Sequence, residues 1–208
     1  MDFFEFLHWT HWLVLVSIII SSIGGFAYLR DMFAGRSKPN LVSWGLWALA
    51  PLIATGAALT AGADLWGTAR VFISGFVPFT IFAFGLFTPQ SYWRLTRFDL
   101  WCGVLSVIAL GAWLIANEPV IAILLAVAAD LFACVPTLAK AWKFPHTETA
   151  TVFLMGLLAS LIAIPAVPVW SIENIAFQAY LIIINLVLFS VVAWGKFVRP
   201  SSRPVGTE

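Results

Sequence analysis

The sequence predicts an all-α membrane protein with seven transmembrane helices. Hydrophobic residues make up 62% of the 208 residues and charged residues only 10%, whereas soluble domains carry about 25% charged residues. The mean hydropathy is +0.97. The apolar stretches are long and continuous, which favours helices over the alternating strands of a membrane barrel. Because a spanning helix needs about 20 apolar residues, the chain has room for roughly seven with their loops.

Apolar stretches bounded by charged or turn residues define the predicted spans in order. They lie near residues 11–29, 40–62, 66–88, 99–116, 119–141, 149–168 and 172–195. The residues before the first stretch are acidic rather than basic, and no small-residue cleavage site follows it. We therefore expect the first stretch to be a helix of the protein and not a signal peptide.

Charge placement predicts the orientation, because cytoplasmic loops collect Lys and Arg. Ten of the 11 basic residues fall in the odd-numbered loops and the tail, and Arg70 is the exception. The prediction is an N-terminus outside and a cytoplasmic C-terminus. The short loops and compact tail are typical of a bacterial plasma-membrane protein. A formal net charge of +1 provides no basic field for nucleic acid, so the expected partners are the lipid bilayer and a small solute.

An internal repeat is the next prediction. A shift of 106 residues aligns Ser43 with Thr149 and Trp47 with Phe153 at the start of two helices that follow basic loops. Helices one to three and five to seven have the same orientation only if one extra helix separates them. The expected architecture is a 3+1+3 parallel repeat. Its parts are a first bundle (1–88), a linker helix (89–118), a second bundle (119–197) and a short cytoplasmic tail (198–208).

The stretch from Pro136 to Glu148 resembles the loop motif of the PQ-loop and SWEET transporter superfamily. In that motif a Pro-Gln pair near a helix end is followed by a Lys, a basic loop and a small polar residue. Thr137 stands here in place of the Gln, and Arg30-Asp31 occupies the equivalent place in the first half. The resemblance implies a secondary carrier that alternates its access. A non-transporting receptor or ligand-binding protein of the same fold is the alternative.

Asp130 is the leading candidate for a functional residue. It lies near the middle of the fifth span, where a charged carboxylate costs about 2.5–3.5 kcal/mol on insertion scales. Such a group is either protonated or in a wet cavity, and both states suit a substrate or coupling-proton site. The alternative is a protonated Asp that only packs by hydrogen bonding to a neighbouring helix.

Polar side chains on the seventh helix form a second candidate group. Asn174, Gln178 and Asn185 lie within about 40° of one another on a 3.6-residue period. The resemblance implies that Asn185 contacts substrate, and the stripe predicts binding roles for Gln178 and Asn174 as well. Hydrogen bonding between helices without a ligand remains an equal alternative.

The second helix carries a row that could line the same cavity, with Ser43, Trp47 and Pro51 at steps of four. The resemblance implies substrate contact for Trp47, and for Phe153 at the matching position of the sixth helix. Anchoring of Trp47 at the membrane interface is the alternative. Pro51 and Pro136 are predicted hinges, because proline removes an amide and clashes with the preceding turn.

The sequence does not indicate a catalytic site, a cofactor site or a metal site. One mid-membrane carboxylate without a nearby base, nucleophile or metal ligand makes no catalytic constellation, so we expect neither an enzyme nor a cofactor. His8 and His11 lack the companions of a metal site. Arg70 is expected to reach the membrane surface or to pair with Asp64, and a substrate-facing role is the alternative.

Overall fold

The computed structural model describes residues 9–60, 62, 65–167 and 170–199, without the side chains of Gln90, Pro119, Glu173 and Asn174. The described residues form helices and no strands, which confirms the all-α prediction. The seven α-helices are α1 (Trp9–Phe33), α2 (Leu41–Thr60), α3 (Leu65–Leu86), α4 (Arg97–Ile115), α5 (Pro119–Lys143), α6 (Ala150–Ala163) and α7 (Ile172–Val198). Short 3₁₀ turns cover Pro89–Ser91, Pro145–Thr147 and Ile164–Ala166.

Six of the described helices are long and apolar enough to cross a membrane, which is consistent with an integral multi-pass membrane protein. The exception is α6, which has 14 residues. At 1.5 Å per residue it covers roughly 21 Å, less than a hydrocarbon core of about 30 Å. The 3₁₀ turn Ile164–Ala166 continues it along the predicted sixth span.

Large apolar side chains cover the outside of the bundle. Phe26 is 71% exposed, Ile115 79% and Phe87 82%. In water such a surface would carry a high free-energy cost, whereas lipid tails cover it without one.

The helices are described in two sets of three that follow the order of the chain. Within α1–α3, which we call the first group, α3 packs against both α1 and α2. Within α5–α7, which we call the second group, α7 packs against both α5 and α6. Between the groups, α1 packs extensively against α6, and α2 contacts α5. Helix α4 packs extensively against α5 and less against α2.

Two adjacent glycines allow α1 to approach both of its neighbours closely. A Cβ atom added at Gly24 would lie 2.8 Å from the Cβ of Met155 in α6. A Cβ added at Gly25 would lie 2.6 Å from a methyl carbon of Val77 in α3. Because real Cβ atoms do not approach this closely, any larger residue at either site would push α1 away from its neighbours.

The helices α2 and α5 continue through Pro51 and Pro136, the two predicted hinges. Each proline leaves one carbonyl of the preceding turn without its helical donor. Thr55 Oγ1 donates a hydrogen bond to the Pro51 carbonyl, four residues back, at 2.7 Å. Bending at either site stays a prediction.

Two connections and the ends of α5 and α7 meet at one end of the bundle. The backbone N–H of Lys38, between α1 and α2, donates to the Thr147 carbonyl, between α5 and α6, at 2.9 Å. The guanidinium of Arg199, after α7, donates to the Trp142 carbonyl at 3.0 Å. We call this the basic end after its cationic side chains, which include Lys38, Lys140, Lys196 and Arg199.

Candidate functional site

A cavity of about 150 Å³ lies between the first and second groups. Every α-helix except α4 contributes to its wall. The aromatic residues of the wall are Trp44, Trp47, Phe153 and Phe177, and its polar residues are Ser21, Arg70, Ser74, Asp130, Ser160 and Asn185. A concave, mainly apolar space with a few convergent polar groups has the character of a small-molecule site.

Asp130 projects from α5 into this cavity. The hydroxyl group of Tyr180 in α7 donates a hydrogen bond to Asp130 Oδ2 at 2.7 Å. This donor is the partner that the sequence analysis did not identify, because Tyr180 lies 50 residues further along the chain. A carboxyl group with one fixed donor and one side toward a cavity can still bind a proton or a polar ligand.

Of the predicted stripe on α7, Asn185 reaches the cavity. Its Nδ2 donates to the Leu181 carbonyl of the same helix at 2.8 Å. Gly156 of α6 makes room for the amide, because a Cβ atom at that position would overlap Asn185 Oδ1. The side-chain amide of Asn185 is therefore held against α6 with its oxygen beside a glycine.

The other two residues of the stripe have different positions. Gln178 does not line the cavity, and its Nε2 donates to the Ser160 carbonyl of α6 at 2.6 Å. This contact is the interhelical hydrogen bond that the alternative interpretation expects. Asn174 belongs to α7, but its side chain lies outside the described residues.

Some residues of the predicted row Ser43, Trp47 and Pro51 on α2 line the cavity, and one does not. Trp47 and Pro51 line the cavity, and so does Phe153, the α6 residue paired with Trp47 by the repeat. The Trp44 and Trp47 rings meet edge to face with centroids 5.1 Å apart, which fixes the Trp47 ring. Ser43 is fully buried and does not line the cavity. Its hydroxyl group has no partner among the described residues.

Arg70 has the position that the sequence analysis gave only as the alternative. Instead of reaching outward, it lines the central cavity from α3. Its Nε is buried and has no hydrogen-bond partner among the described residues. The predicted partner Asp64 lies outside the described residues. Arg70 is the one cationic side chain among the described residues of the cavity wall.

A buried ion pair joins the helices at the basic end. Lys140 Nζ of α5 lies 2.5 Å from Glu148 Oε1, and both side chains are almost fully enclosed. The Tyr28 hydroxyl group of α1 donates to Glu148 Oε2 at 3.0 Å. Lys140 also donates to the Lys38 carbonyl, and Lys196 of α7 donates to the Glu148 carbonyl at 2.6 Å. Removing one member would leave another buried charge without its counter-charge.

A second tie between the groups lies beside this pair. The hydroxyl groups of Ser37 and Thr149 are 2.5 Å apart. Thr149 Oγ1 also contacts Asp31 Oδ2 at 3.0 Å. Asp31 in turn pairs with Arg36 at 2.6 Å and with Arg30 at 3.1 Å, and both of these arginines are largely exposed. Asp31 at the end of α1 and Thr149 before α6 thus meet across the two groups.

Helix α4 is attached to the first group through its N-terminus. Thr96 and Asp99 form a capping box, in which each side chain accepts from the other residue's backbone N–H. The same Asp99 carboxylate accepts from Asn40 Nδ2, before α2, at 3.0 Å. One acidic residue therefore caps α4 and holds it beside the α1–α2 connection.

Metal ligands do not gather in the part of the chain that the structure describes. No three His, Cys, Asp or Glu side chains lie together there. Both cysteines, Cys102 and Cys134, are buried and free. His11 stacks on Trp66 with ring centroids 4.6 Å apart, and His8 lies outside the described residues.

Fold and site together define a helical bundle consistent with a multi-pass membrane protein, with a mixed polar and aromatic cavity between two groups of three helices. None of the protein-family models, curated proteins or solved structures compared with the chain matches it. The resemblance to the PQ-loop and SWEET superfamily therefore stays a prediction. The function has to be argued from this chain's own residues.

Proposed function

We propose that the protein is a secondary carrier of a small polar solute, in which α1–α3 and α5–α7 alternate around the central cavity. The observation that carries this proposal is the placement of the cavity between the two groups. A site at the interface of two bundles can be exposed to either side by rocking one bundle against the other. The expected setting is seven spans with the N-terminus outside, in a bacterial plasma membrane.

The neighbour relations of the helices support the proposed 3+1+3 repeat. In each group the third helix packs against the other two. If α1, α2 and α3 are equivalent to α5, α6 and α7, then the contact between α1 and α6 is equivalent to the contact between α5 and α2, and both are present. The exclusion of α4 from the cavity wall fits a linker role. The cavity positions of Trp47 and Phe153, which are 106 residues apart, agree with the same alignment.

The polar ties between the groups support a gated cavity. Among the described residues, Tyr28–Glu148, Lys140–Lys38 and Ser37–Thr149 join the groups at the basic end. We interpret this conformation as the one closed at the basic end. Opening that end would require these contacts to separate while the groups stay intact.

Asp130 is the proposed site of the coupling proton. It lines the cavity and has one fixed hydrogen-bond donor, Tyr180, from its own group. A carboxyl group that gains and loses a proton with each change of access would couple solute movement to a proton gradient. Asn185, Trp47 and Phe153 are the proposed solute contacts.

Alternating access can be tested without knowing the solute. In a chain lacking Cys102 and Cys134, Ser74→Cys places one thiol on the cavity wall. We expect a membrane-impermeant maleimide to label it from either face of oriented vesicles. The matched control is Ser106→Cys, because Ser106 is buried between α4 and α5, where it donates to the Ala129 carbonyl at 2.6 Å. This control should stay unlabelled.

Labelling of Ser74→Cys from one face only would support the receptor alternative and contradict the carrier. Adding the Lys140→Met and Glu148→Met substitutions should increase labelling from the basic-end face by at least about fivefold, because these substitutions remove the buried ion pair. An unchanged rate would show that this pair does not close the cavity.

A further inference from the structure

Arg70 is the group that the proposed carrier mechanism does not use. It lines the cavity within a helix long and apolar enough to span a membrane. An ionisable residue in such a segment is retained at a cost and is typical of a ligand or ion pathway. What Arg70 binds is therefore informative about the solute.

The cations Lys140 and Lys196 at the basic end show what Arg70 lacks. Lys140 has the Glu148 carboxylate and Lys196 has the Glu148 carbonyl. For Arg70, the buried Nε has no acceptor among the described residues. Its guanidinium presents planar donors in a fork that matches a carboxylate in two-point contact.

The acidic group of the cavity wall does not supply the missing counter-charge. Asp130 accepts from Tyr180 and, among the described residues, forms no ion pair with Arg70. A buried guanidinium donor without an acceptor favours a ligand that brings acceptor oxygens.

The aromatic residues of the cavity wall indicate the shape and size of the ligand apart from its charged group. Trp47, Phe153 and Phe177 are apolar and flat, and they come from three different helices. Aromatic rings of this kind pack well against another flat ring. A volume of about 150 Å³ is below the 300–1,000 Å³ typical of drug-sized pockets, so the ligand is small.

We propose that the central cavity binds a small aromatic monocarboxylate, with its carboxylate at Arg70 and its ring between Trp47 and Phe153. This inference rests on the proposed carrier function and names its substrate class. A carboxylate that moves together with a proton on Asp130 crosses the membrane as a neutral pair. The two ionisable residues of the cavity wall then have separate roles.

The test uses the full chain in detergent and the probe 3-phenylpropanoate, with its neutral isostere 3-phenylpropanamide. We expect calorimetric titration to show binding of the carboxylate, and at least about tenfold weaker binding of the amide. Arg70→Gln should lose at least about tenfold in carboxylate affinity, and Arg70→Lys should be intermediate. The control Arg94→Gln changes an exposed arginine of the α3–α4 connection and should leave the affinity unchanged.

Equal binding of the two probes, no binding of either, or full affinity in Arg70→Gln would overturn the proposed site. Thermal melting separates this role from a structural one, because removing a cation that has no counter-charge among the described residues should leave the melting temperature unchanged or higher. A lower melting temperature for Arg70→Gln would assign Arg70 to stability. If labelling of Ser74→Cys from both faces persists while the carboxylate fails to bind, only the ligand class is wrong. One-sided labelling with intact binding would overturn the carrier and leave the ligand site.

Discussion

Asp130 and Glu148 are the acidic groups of the cavity and of the basic end, and their surroundings differ. Glu148 is fully enclosed and contacts a Lys Nζ at 2.5 Å and a Tyr hydroxyl group at 3.0 Å. Asp130 is only partly buried, lines the cavity and receives one hydrogen bond from Tyr180 at 2.7 Å. The Glu148 carboxylate joins α1 and α5, whereas the Asp130 carboxylate, which forms no ion pair among the described residues, keeps capacity for a proton or ligand. Burial of a carboxylate alone does not distinguish these roles, but a buried cation beside it does.

The largest effect is expected from Glu148→Gln. This change leaves Lys140 buried without its counter-charge, so we expect a loss of about 3–5 kcal/mol in the free energy of unfolding. Unfolding in mixed detergent micelles would measure it. Glu118→Gln is the matched control, because Glu118 is exposed and its side chain makes no cap hydrogen bond.

Replacing both partners sharpens this prediction. Lys140→Met combined with Glu148→Met removes the two charges together, so we expect it to recover most of the stability lost by Glu148→Gln. A loss below about 1 kcal/mol for the single variant would contradict the structural role of the pair.

A smaller effect is expected from Gly156→Ala at the cavity wall. The added methyl group overlaps the Asn185 amide, so we expect a loss of about 1–3 kcal/mol and a displaced Asn185 side chain. Gly111→Ala in α4 is the control, because a Cβ atom there meets nothing within 4 Å. That variant should gain about 0.5–1 kcal/mol, since alanine favours a helix over glycine. Equal effects of the two changes would mean that Asn185 is not confined by α6.

The smallest effect on stability is expected from Asp130→Asn. The amide keeps the volume and can still accept from Tyr180, so the variant should be no less stable than the original protein. Uptake of 3-phenylpropanoate driven by a proton gradient should fall at least about tenfold, equivalent to roughly 1.4 kcal/mol. Exchange of the probe without a gradient should survive, because Arg70 and the aromatic wall are intact.

Liposome uptake and thermal melting of the same preparation would check the Asp130→Asn prediction. Unchanged gradient-driven uptake would assign Asp130 to packing with Tyr180. A destabilisation comparable to that of Glu148→Gln would remove the distinction between the two carboxylates.

The helices could be predicted from the sequence because their signal is local. Each of the seven predicted apolar stretches, from 11–29 to 172–195, overlaps one of the helices α1–α7. Pro51 and Pro136 lie inside helices. In a helix the backbone hydrogen bonds are formed within each segment, so length and apolarity suffice to locate the segment. Asp130 could be singled out for the same reason, because a lone acidic residue within an apolar stretch is conspicuous.

Which side chains meet depends on how the helices pack against one another, and this packing could not be predicted from the sequence. In the sequence Glu148 looks like a loop residue. Its partners Tyr28 and Lys140 nevertheless lie on two helices, and Tyr28 is 120 residues away in the chain. Arg70 was expected at the surface and lines the cavity, whereas Ser43 was expected on the cavity wall and is buried elsewhere. Helical periodicity gives the relative angles of residues on one helix but not the rotation of that helix against its neighbours. That rotation follows from close contacts such as Gly24 on α6 and Gly25 on α3, which join residues distant in the chain.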